Sequence, residues 1–580
     1  MFRNQVSLRV PLRKFPLVDI SVFLGVLLLL FVVVRLGEGM AVPFSESHQP
    51  PLNLGLTALP YYAGRSLLRM FIALAASIVF TLVYGYAAAY NRYARIVLLP
   101  LLDILQSVPV LGFLSVTVVG FMAMFPGSLL GLELASIFAI FTAMAWNMTF
   151  SFYYSLVSVP KDLKEASAIY GLGPWQRFVE CEVPFSMIGL VWNGMMSFGG
   201  AWFFLAASEA ITVLNKNIRL PGIGSYMATA IDKGDLPAIW AAIATMIVMI
   251  LLVDALFWRP VVAWSQKFKF EQTEATEAPR SRLLTLLQRS AVLAAIHNRL
   301  VAPLFERLNL VVIRFSRQTA EGTPGGRAWH WVWRGVGLLV AAWLLFALAR
   351  DGGTAIHVLK AINPPLLQEA FLDGLYTMLR VVAVVAVSTL VWAPIGVWIG
   401  MNPRIARIAQ PLVQIAASFP ATMAFPLVTV IFLRFHISLD WGGMLLMGLG
   451  TQWYILFNVI AGAMAIPTDL REATAVFGVR GWLRWLRLII PGIFPYWVTG
   501  GVTAAGGAWN ASIVAEIVSW KDQTLVAHGL GAFIAQATTV GNWGAIALGI
   551  AVMCVFVVGF NRLLWRPLYA LAERKYRLDI

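Results

Sequence analysis

Charge is what this chain is short of. Only 12% of its 580 residues are charged, against 59% hydrophobic, where a soluble domain carries roughly 25% charged residues. That deficit excludes an ordinary soluble globular protein and assigns the chain to a membrane. Acidic residues are scarcer than basic ones, 28 against 43, for a net charge of +15. Such a balance suits nucleic acid, but Lys and Arg cluster in short segments beside apolar stretches, as the positive-inside rule requires. No basic run with interleaved aromatics occurs elsewhere, so nucleic acid is excluded as a partner and membrane lipid takes its place. Cysteines number two, Cys181 and Cys554. The topology below puts the first in the cytoplasm and the second inside a helix, which excludes a disulfide. The six histidines show no metal-ligand spacing. No Gly-x4-Gly-Lys-Ser/Thr phosphate loop is present. Clusters of His, Asp or Glu at helical spacing are missing too, which argues against a membrane-embedded enzyme.

Long apolar runs are plentiful. Hydropathy predicts six helices in the first half, near 17–35, 66–90, 96–123, 129–157, 184–208 and 236–258. Six more follow, near 334–349, 374–400, 408–434, 442–463, 492–515 and 541–561. About 20 apolar residues cross the hydrocarbon core, so the expected fold is all-α with about 12 transmembrane helices. Arg3, Arg9, Arg13 and Lys14 precede the first run, which lacks a small-x-small cleavage site and reads as an uncleaved span. With that basic N-terminus inside, the basic segments 91–95, 402–407, 259–269 and 574–577 fall inside as well. Both termini are therefore expected in the cytoplasm.

The chain repeats itself. Residues 160–184 and 467–491 align without a gap at an offset of 307, with ten of 25 positions identical. Gly199-Gly200-Ala201-Trp202 matches Gly506-Gly507-Ala508-Trp509, Glu209 matches Glu516, and Gly222 and Gly224 match Gly529 and Gly531. Upstream the offset is 311, pairing Arg69 with Arg380, Gly85 with Gly396 and Pro109 with Pro420. An even number of spans per half makes this a parallel duplication, not an inverted one. The expected domains are 1–264 and 334–580, joined by a charged connector, 265–333. Its stretch 282–317 interleaves Leu, Val and Ile with arginines, as in an amphipathic helix on the inner leaflet. It reads either as a regulatory element or as a tether that returns the chain to the same side.

Each copy of the polar loop reads as a short helix, a bend and a second helix entering a span. Pro160 suits a first helical position, and Asp162 and Glu165 suit a positive helix N-terminus, as do Pro467, Asp469 and Glu472 in the second copy. Ala166 and Ala473 keep the surface beside the glutamate small. Gly171 and Gly478 fall where a helix C-cap needs a left-handed residue. A knuckle rigidly joined to a span transmits a push from a docked protein.

Glu-Ala-Ser-x3-Gly and Glu-Ala-Thr-x3-Gly, each followed after 12 residues by Pro, resemble the coupling-loop signature of type I, binding-protein-dependent ABC-importer permeases. The chain departs from that consensus mildly, at Ser167 and Thr474, Cys181 and Leu488, and Val183 and Ile490. The resemblance covers both halves. It implies that Asp162, Glu165, Ala166, Gly171, Asp469, Glu472, Ala473 and Gly478 dock two copies of a separate cytoplasmic ATPase. It also implies a periplasmic substrate-binding protein, a multi-pass location in the bacterial inner membrane, and no cofactor in this chain, ATP and magnesium belonging to the ATPase. Gly-Ala-Trp-x6-Glu followed by Gly-x-Gly in both halves is similar to nitrate/sulfonate/taurine-type permeases, although the spacing from Glu209 to Gly222 and from Glu516 to Gly529 is longer than in that group.

Polar residues inside apolar spans are the candidates for a translocation path or gate. Ser107 and Ser418 precede Pro109 and Pro420, where a broken helix exposes backbone groups. Asn193, Ser197, Asn510 and Ser512 lie on the fifth span of each half, and Glu209 and Glu516 at its outer end. For the Ser and Asn residues, interhelical hydrogen bonding competes with solute contact. The glutamates suit a gate or loop anchor better than an anion site. Trp202 and Trp509 fit interface anchors or gate packing equally. The expected function is the translocation subunit of an ATP-driven importer of a small polar or anionic solute. The alternative is a secondary transporter of two six-helix halves, which does not call for matching loops after the fourth span of each half.

Overall fold

The computed structural model describes residues 16–44, 52–268 except 108, 214 and 215, 281–311 except 305 and 308, 342, 346, and 363–575 except 522. The expected span 334–349 and most of the connector beyond 311 lie outside the described residues. In the first half the helices are α1 (Pro16–Glu38), α2 (Leu59–Tyr90), α3 (Arg92–Ser107), α4 (Val110–Met124), α5 (Leu130–Val157), α6 (Lys161–Ile169), α7 (Val183–Glu209), α8 (Ile223–Lys233) and α9 (Leu236–Val253). In the second half they are α10 (Pro364–Gly400), α11 (Pro403–Ser418), α12 (Phe425–Phe435), α13 (Leu439–Ala465), α14 (Thr468–Val476), α15 (Ile490–Ala515), α16 (Leu530–Val540) and α17 (Trp543–Phe560). Nine helices among the described residues are long and apolar enough to cross a membrane. On α1 nearly every apolar side chain is exposed, Leu28 at 64% and Leu29 at 63%. That is the surface of a helix whose solvent is hydrocarbon.

Two differences from the sequence expectation have local causes. The helices expected at 96–123 and 408–434 are each interrupted, because proline has no N–H to donate and holds the residue before it extended. Pro109 (ψ 117°) caps α4, and Phe419 (ψ 123°) and Pro420 (ψ 113°) separate α11 from a short 3₁₀ turn, Ala421–Met423, that leads into α12. Beyond the fifth span, two antiparallel hairpins interrupt the all-α pattern: β1 (Ala210–Val213) with β2 (Lys216–Arg219), and β3 (Ile517–Trp520) with β4 (Gln523–Val526). Single π-turns also recur at matching places, Phe178–Glu182 with Trp485–Ile489 and Asp254–Trp258 with Asn561–Trp565.

The described residues fall into two compact units. One comprises the described parts of 1–39, 149–195 and 252–357. In it, the Asp19 carboxylate of α1 accepts hydrogen bonds from Ser290 Oγ (3.0 Å) and the Ala291 amide (2.7 Å) at the start of the connector helix Ala291–Ile296. The other comprises 40–148, 196–251 and 358–580. Its apolar core runs through α4, α5, α10, α13, α15 and α17, with Trp509 and Trp565 inside.

Close helix approach in this unit depends on small residues, since lipid tails are as apolar as leucine and packing must do the sorting. Gly396 and Gly400 form a G-x-x-x-G face of α10 against α13. A Cβ on Gly400 would stand 2.6 Å from the Ile460 carbonyl oxygen and 2.7 Å from the Ala463 Cβ. Gly400→Leu is expected to destabilise the protein by roughly 1–3 kcal/mol, the usual cost of overpacking. Gly448→Leu, at a position with open space around it, should be near neutral. Thermal unfolding in detergent compares the two, and equal unfolding temperatures would refute the packing argument.

Candidate functional site

In each half, the end of the fifth span is fastened by a buried carboxylate. Glu209 and Glu516 are fully buried. Burying a carboxylate is tolerable only where its charge is paired and its lone pairs are occupied. Glu209 Oε1 accepts from Arg69 Nη1 and from Ser66 Oγ, both at 2.6 Å, and Oε2 accepts from the Gly224 amide at 2.7 Å. Glu516 repeats this with Arg380 Nη1 (2.8 Å), Thr377 Oγ1 (2.8 Å) and the Gly531 amide (2.8 Å). The same hydroxyls accept from the first amides of the next helix, Ile223 N to Ser66 at 3.1 Å and Leu530 N to Thr377 at 2.9 Å. Each carboxylate thus sits on the N-terminus of α8 or α16, where unpaired amides and the helix dipole favour negative charge. Main-chain bonds close the hairpin beneath, Leu220 N to the Glu209 carbonyl (3.0 Å) and Ala527 N to that of Glu516 (2.8 Å).

The glycines of the Gly-x-Gly pairs are required for space. Gly222 (φ 179°) and Gly529 (φ 173°) have extended backbone open to any residue. A Cβ on either would collide with the glutamate carboxylate, and a Cβ on Gly224 or Gly531 with the Ala206 or Ser512 carbonyl.

Around this shared junction the halves differ. Arg69 also pairs with Glu133 (Nε to Oε2, 2.6 Å) and donates to the Pro221 carbonyl (2.9 Å), while a second buried arginine, Arg65, pairs with Glu133. In the second half Arg380 pairs with Asp440, the counterpart of Glu133, at 2.9 Å, and Tyr376 stands where Arg65 does. Sequence reasoning noted the Arg69/Arg380 repeat but assigned neither these arginines nor Glu133, Asp440, Ser66 and Thr377 to a site. The available signal was a charged residue recurring at one repeat position inside an apolar span.

The other candidates lie elsewhere. Trp202 and Trp509 are 1% exposed and serve as packing: Trp202 makes an edge contact with Phe198, and Trp509 lies against Phe556. Asn193 Nδ2 donates to Ser151 Oγ on α5 (2.9 Å) and to the Gly189 carbonyl (3.0 Å), an interhelical bond. Ser107 is the last residue of α3. Ser418 and Asn510 line a cavity of about 50 Å³, together with Gly200, Phe203, Thr451 and Tyr454. Asn510 Oδ1 also caps α4 by accepting from the Val110 amide at 2.9 Å.

The two polar loops share one geometry. Asp162 and Asp469 occupy the first turns of α6 and α14. Glu165 and Glu472 are exposed, whereas Ala166 and Ala473 are half-buried. Gly171 (φ +66°) and Gly478 (φ +67°) are left-handed, as their spacing predicts, and the next amides, Leu172 and Val479, return to the Ser167 and Thr474 carbonyls at 3.0 and 2.9 Å. Ser167 and Thr474, the departures from the alanine consensus, turn their hydroxyls onto their own helix, to the Lys164 (2.6 Å) and Arg471 (2.8 Å) carbonyls. Ile169, Tyr170, Val476 and Phe477 stand 75–85% exposed at the tips, apolar surface of the kind a protein partner covers.

Removing one partner of a buried ion pair strands the other, at a cost of about 3–5 kcal/mol. Glu516→Ala should therefore lower the unfolding temperature sharply. Gly529→Ala should act in the same direction, and the double variant Arg380→Met/Glu516→Gln should recover part of the loss. Thermal unfolding of the detergent-purified chain reads all three. A Glu516→Ala protein as stable as the wild type would show that the junction does not hold the hairpin.

The family model described as "Binding-protein-dependent transport system inner membrane component" matches twice, over residues 77–258 and 393–566. Among similar proteins, the diacetylchitobiose uptake system permease protein NgcG of Streptomyces coelicolor is 31% identical over 123 residues, covering 21% of this chain and 41% of that protein. The nitrate import permease protein NrtB of Synechococcus elongatus is 25% identical over 165 residues, 28% of this chain and 55% of its own length. The bicarbonate transport system permease protein CmpB of the same species is 25% identical over 230 residues, 36% and 81%. The chain thus spans about half the length of the first two. Permeases of this family are non-catalytic membrane components. The chain belongs to the family of binding-protein-dependent transport system inner membrane components, and carries its domain twice.

Proposed function

We propose that this chain is the translocation subunit of an ATP-driven importer, with two permease domains in one polypeptide. The observation that carries this reading is the pair of exposed, conformationally matched coupling loops, one in each matched domain. Asp162, Glu165, Ala166 and Gly171 form one docking knuckle and Asp469, Glu472, Ala473 and Gly478 the other. Each receives one copy of a separate cytoplasmic ATPase, which binds the ATP and magnesium, and a periplasmic binding protein delivers the solute. Domains 1–264 and 334–580 enclose the two family matches, with 265–333 as connector. Nine continuous spans, two spans built from the broken pairs α3/α4 and α11/α12, and the apolar segment 334–349 make twelve. Both termini then lie in the cytoplasm of a bacterial cell, on the side of the coupling loops. A secondary transporter has no use for the duplicated loops.

The solute is small and polar or anionic, of the nitrate, bicarbonate, sulfonate or taurine kind. Relatives named for nitrate and bicarbonate support this, and one named for diacetylchitobiose points to a larger solute. The Gly-Ala-Trp-x6-Glu…Gly-x-Gly pattern, which organises the carboxylate junction in both halves, favours the first group.

The loops give the direct test. Glu472→Lys with Gly478→Val places a wrong charge on the docking face and a β-branched residue at φ +67°. That strain, of order 1–3 kcal/mol, weakens docking by roughly fivefold to over a hundredfold. Insertion and abundance should be normal, while ATPase capture and uptake fall; the pair Glu165→Lys/Gly171→Val should do the same. Wild-type uptake with the ATPase still bound would overturn the coupling assignment. Reporter fusions behind residue 580 should be active on the cytoplasmic side, and an outward-facing fusion would overturn the topology.

A further inference from the structure

The cavity of about 50 Å³ beside the break between α11 and α12 is not symmetric, although the chain around it is a repeat. From the first half it receives Gly199, Gly200, Phe203 and Phe204. Its polar side chains, Ser418, Thr451, Tyr454 and Asn510, all come from the second half, and among the described residues no charged side chain lines it. The repeat partners show the divergence: Phe203 occupies the position of Asn510, and Asn147 that of Tyr454.

Most of these polar groups are already engaged. Ser418 donates to the Gln414 carbonyl (2.9 Å), Thr451 to that of Met447 (2.9 Å), and Asn510 Nδ2 to that of Gly506 (3.2 Å) while its Oδ1 caps α4. The Tyr454 hydroxyl has no hydrogen-bond partner among the described residues. Its ring lies between the glycine pairs of both fifth spans. A Cβ on Gly200 would stand 3.2 Å from its hydroxyl, and one on Gly507 would stand 3.3 Å from its Cε2. Those glycines leave room for the ring.

We propose that Tyr454 is the gate of the translocation path and a specificity-determining contact for the solute. Its ring closes the cavity between the two fifth spans, and its hydroxyl donates to an acceptor oxygen of the passing solute. The wall recognises a small, oxygen-bearing solute by hydrogen bonding, and sign of charge is not selected here. A counter-charge would hold an ion tightly, whereas conduction needs a contact weak enough to release. The buried Arg69 and Arg380 are held by Glu209 and Glu516 and are not available for that role.

This inference rests on the importer reading, and the experiment separates the two. In a Cys181→Ser/Cys554→Ser background, Tyr454→Cys and, on the opposing wall, Ser418→Cys are reconstituted with the partner ATPase in proteoliposomes. Labelling is followed with the anionic reagent methanethiosulfonate ethylsulfonate and the cationic ethyltrimethylammonium analogue, with and without ATP plus vanadate. The expected result is a labelling rate at position 454 that changes by at least about tenfold between the two nucleotide states, as for a residue that changes exposure with the conformational equilibrium. Anionic and cationic reagents should react at comparable rates. If Ser418→Cys responds to nucleotide and Tyr454→Cys does not, the gate assignment fails alone. If neither responds, the importer reading fails with it. Reaction with only the cationic reagent would overturn the solute class. Should Tyr454→Cys not assemble, Ala421→Cys reports the same cavity. Its closed-state labelling must then rise when Tyr454→Leu removes the ring, and an unchanged rate overturns the proposal.

Discussion

A carboxylate buried at the end of a transmembrane helix is the constraint from which much of this architecture follows. Glu209 and Glu516 each hold an arginine from the second span, a hydroxyl one helical turn before it, and the first amides of a short helix that follows a hairpin. Remove the carboxylate and three elements lose a common partner in a region where water cannot substitute. The hairpin, the Gly-x-Gly pair and the abrupt start of α8 or α16 are consequences. The backbone must come within hydrogen-bonding distance of the carboxylate, and only glycine lets it.

Duplication has kept this junction and let its surroundings drift. One half surrounds it with two arginines and two glutamates; the other makes do with one arginine and keeps an aspartate and a tyrosine at the matching positions. The polar loops with their left-handed glycines, the π-turns and the proline breaks recur at matching places in both halves, although their residues have changed. The cavity lining also differs between the halves, with Phe203 at the repeat position of Asn510. Under the proposed function, elements that present one shape to two ATPase copies stay alike, while a path for one solute has no need of symmetry.

In the proposed function, the loops link the membrane domain to its ATPase through continuous helix. Each short helix ends in a glycine whose left-handed turn is closed by backbone bonds, then a π-turn, then the fifth span. Glu209 or Glu516 lies at the far end of the same span. In the second half, one helix thus has the polar loop at its start and a buried, fully bonded carboxylate at its end.

Much of this was legible in the sequence because it is local or periodic. Apolar runs of spanning length announced the long helices, the offsets of 307 and 311 announced the duplication, and spacing alone placed Gly171 and Gly478 at a helix end, where a positive φ follows from chain geometry within five residues. The prolines at 109 and 420 read as breaks for the same local reason, although hydropathy still runs one helix across each of them, 96–123 and 408–434. What sequence could not decide was which distant groups meet. Arg69 finds Glu133, Glu209 and the Pro221 carbonyl 64, 140 and 152 positions away, and Tyr454 takes its meaning from Gly200 on the other half of the chain. A side chain's type is written at its position, but its partner depends on how helices cross, and crossing is set by packing of the whole bundle. The sequence by itself determined a duplicated membrane permease with two matching polar loops. Only tertiary packing decided that the two glutamates are anchors within the core, and that one tyrosine, unmatched in the repeat, stands with a hydroxyl that has no partner among the described residues, beside glycines of both fifth spans.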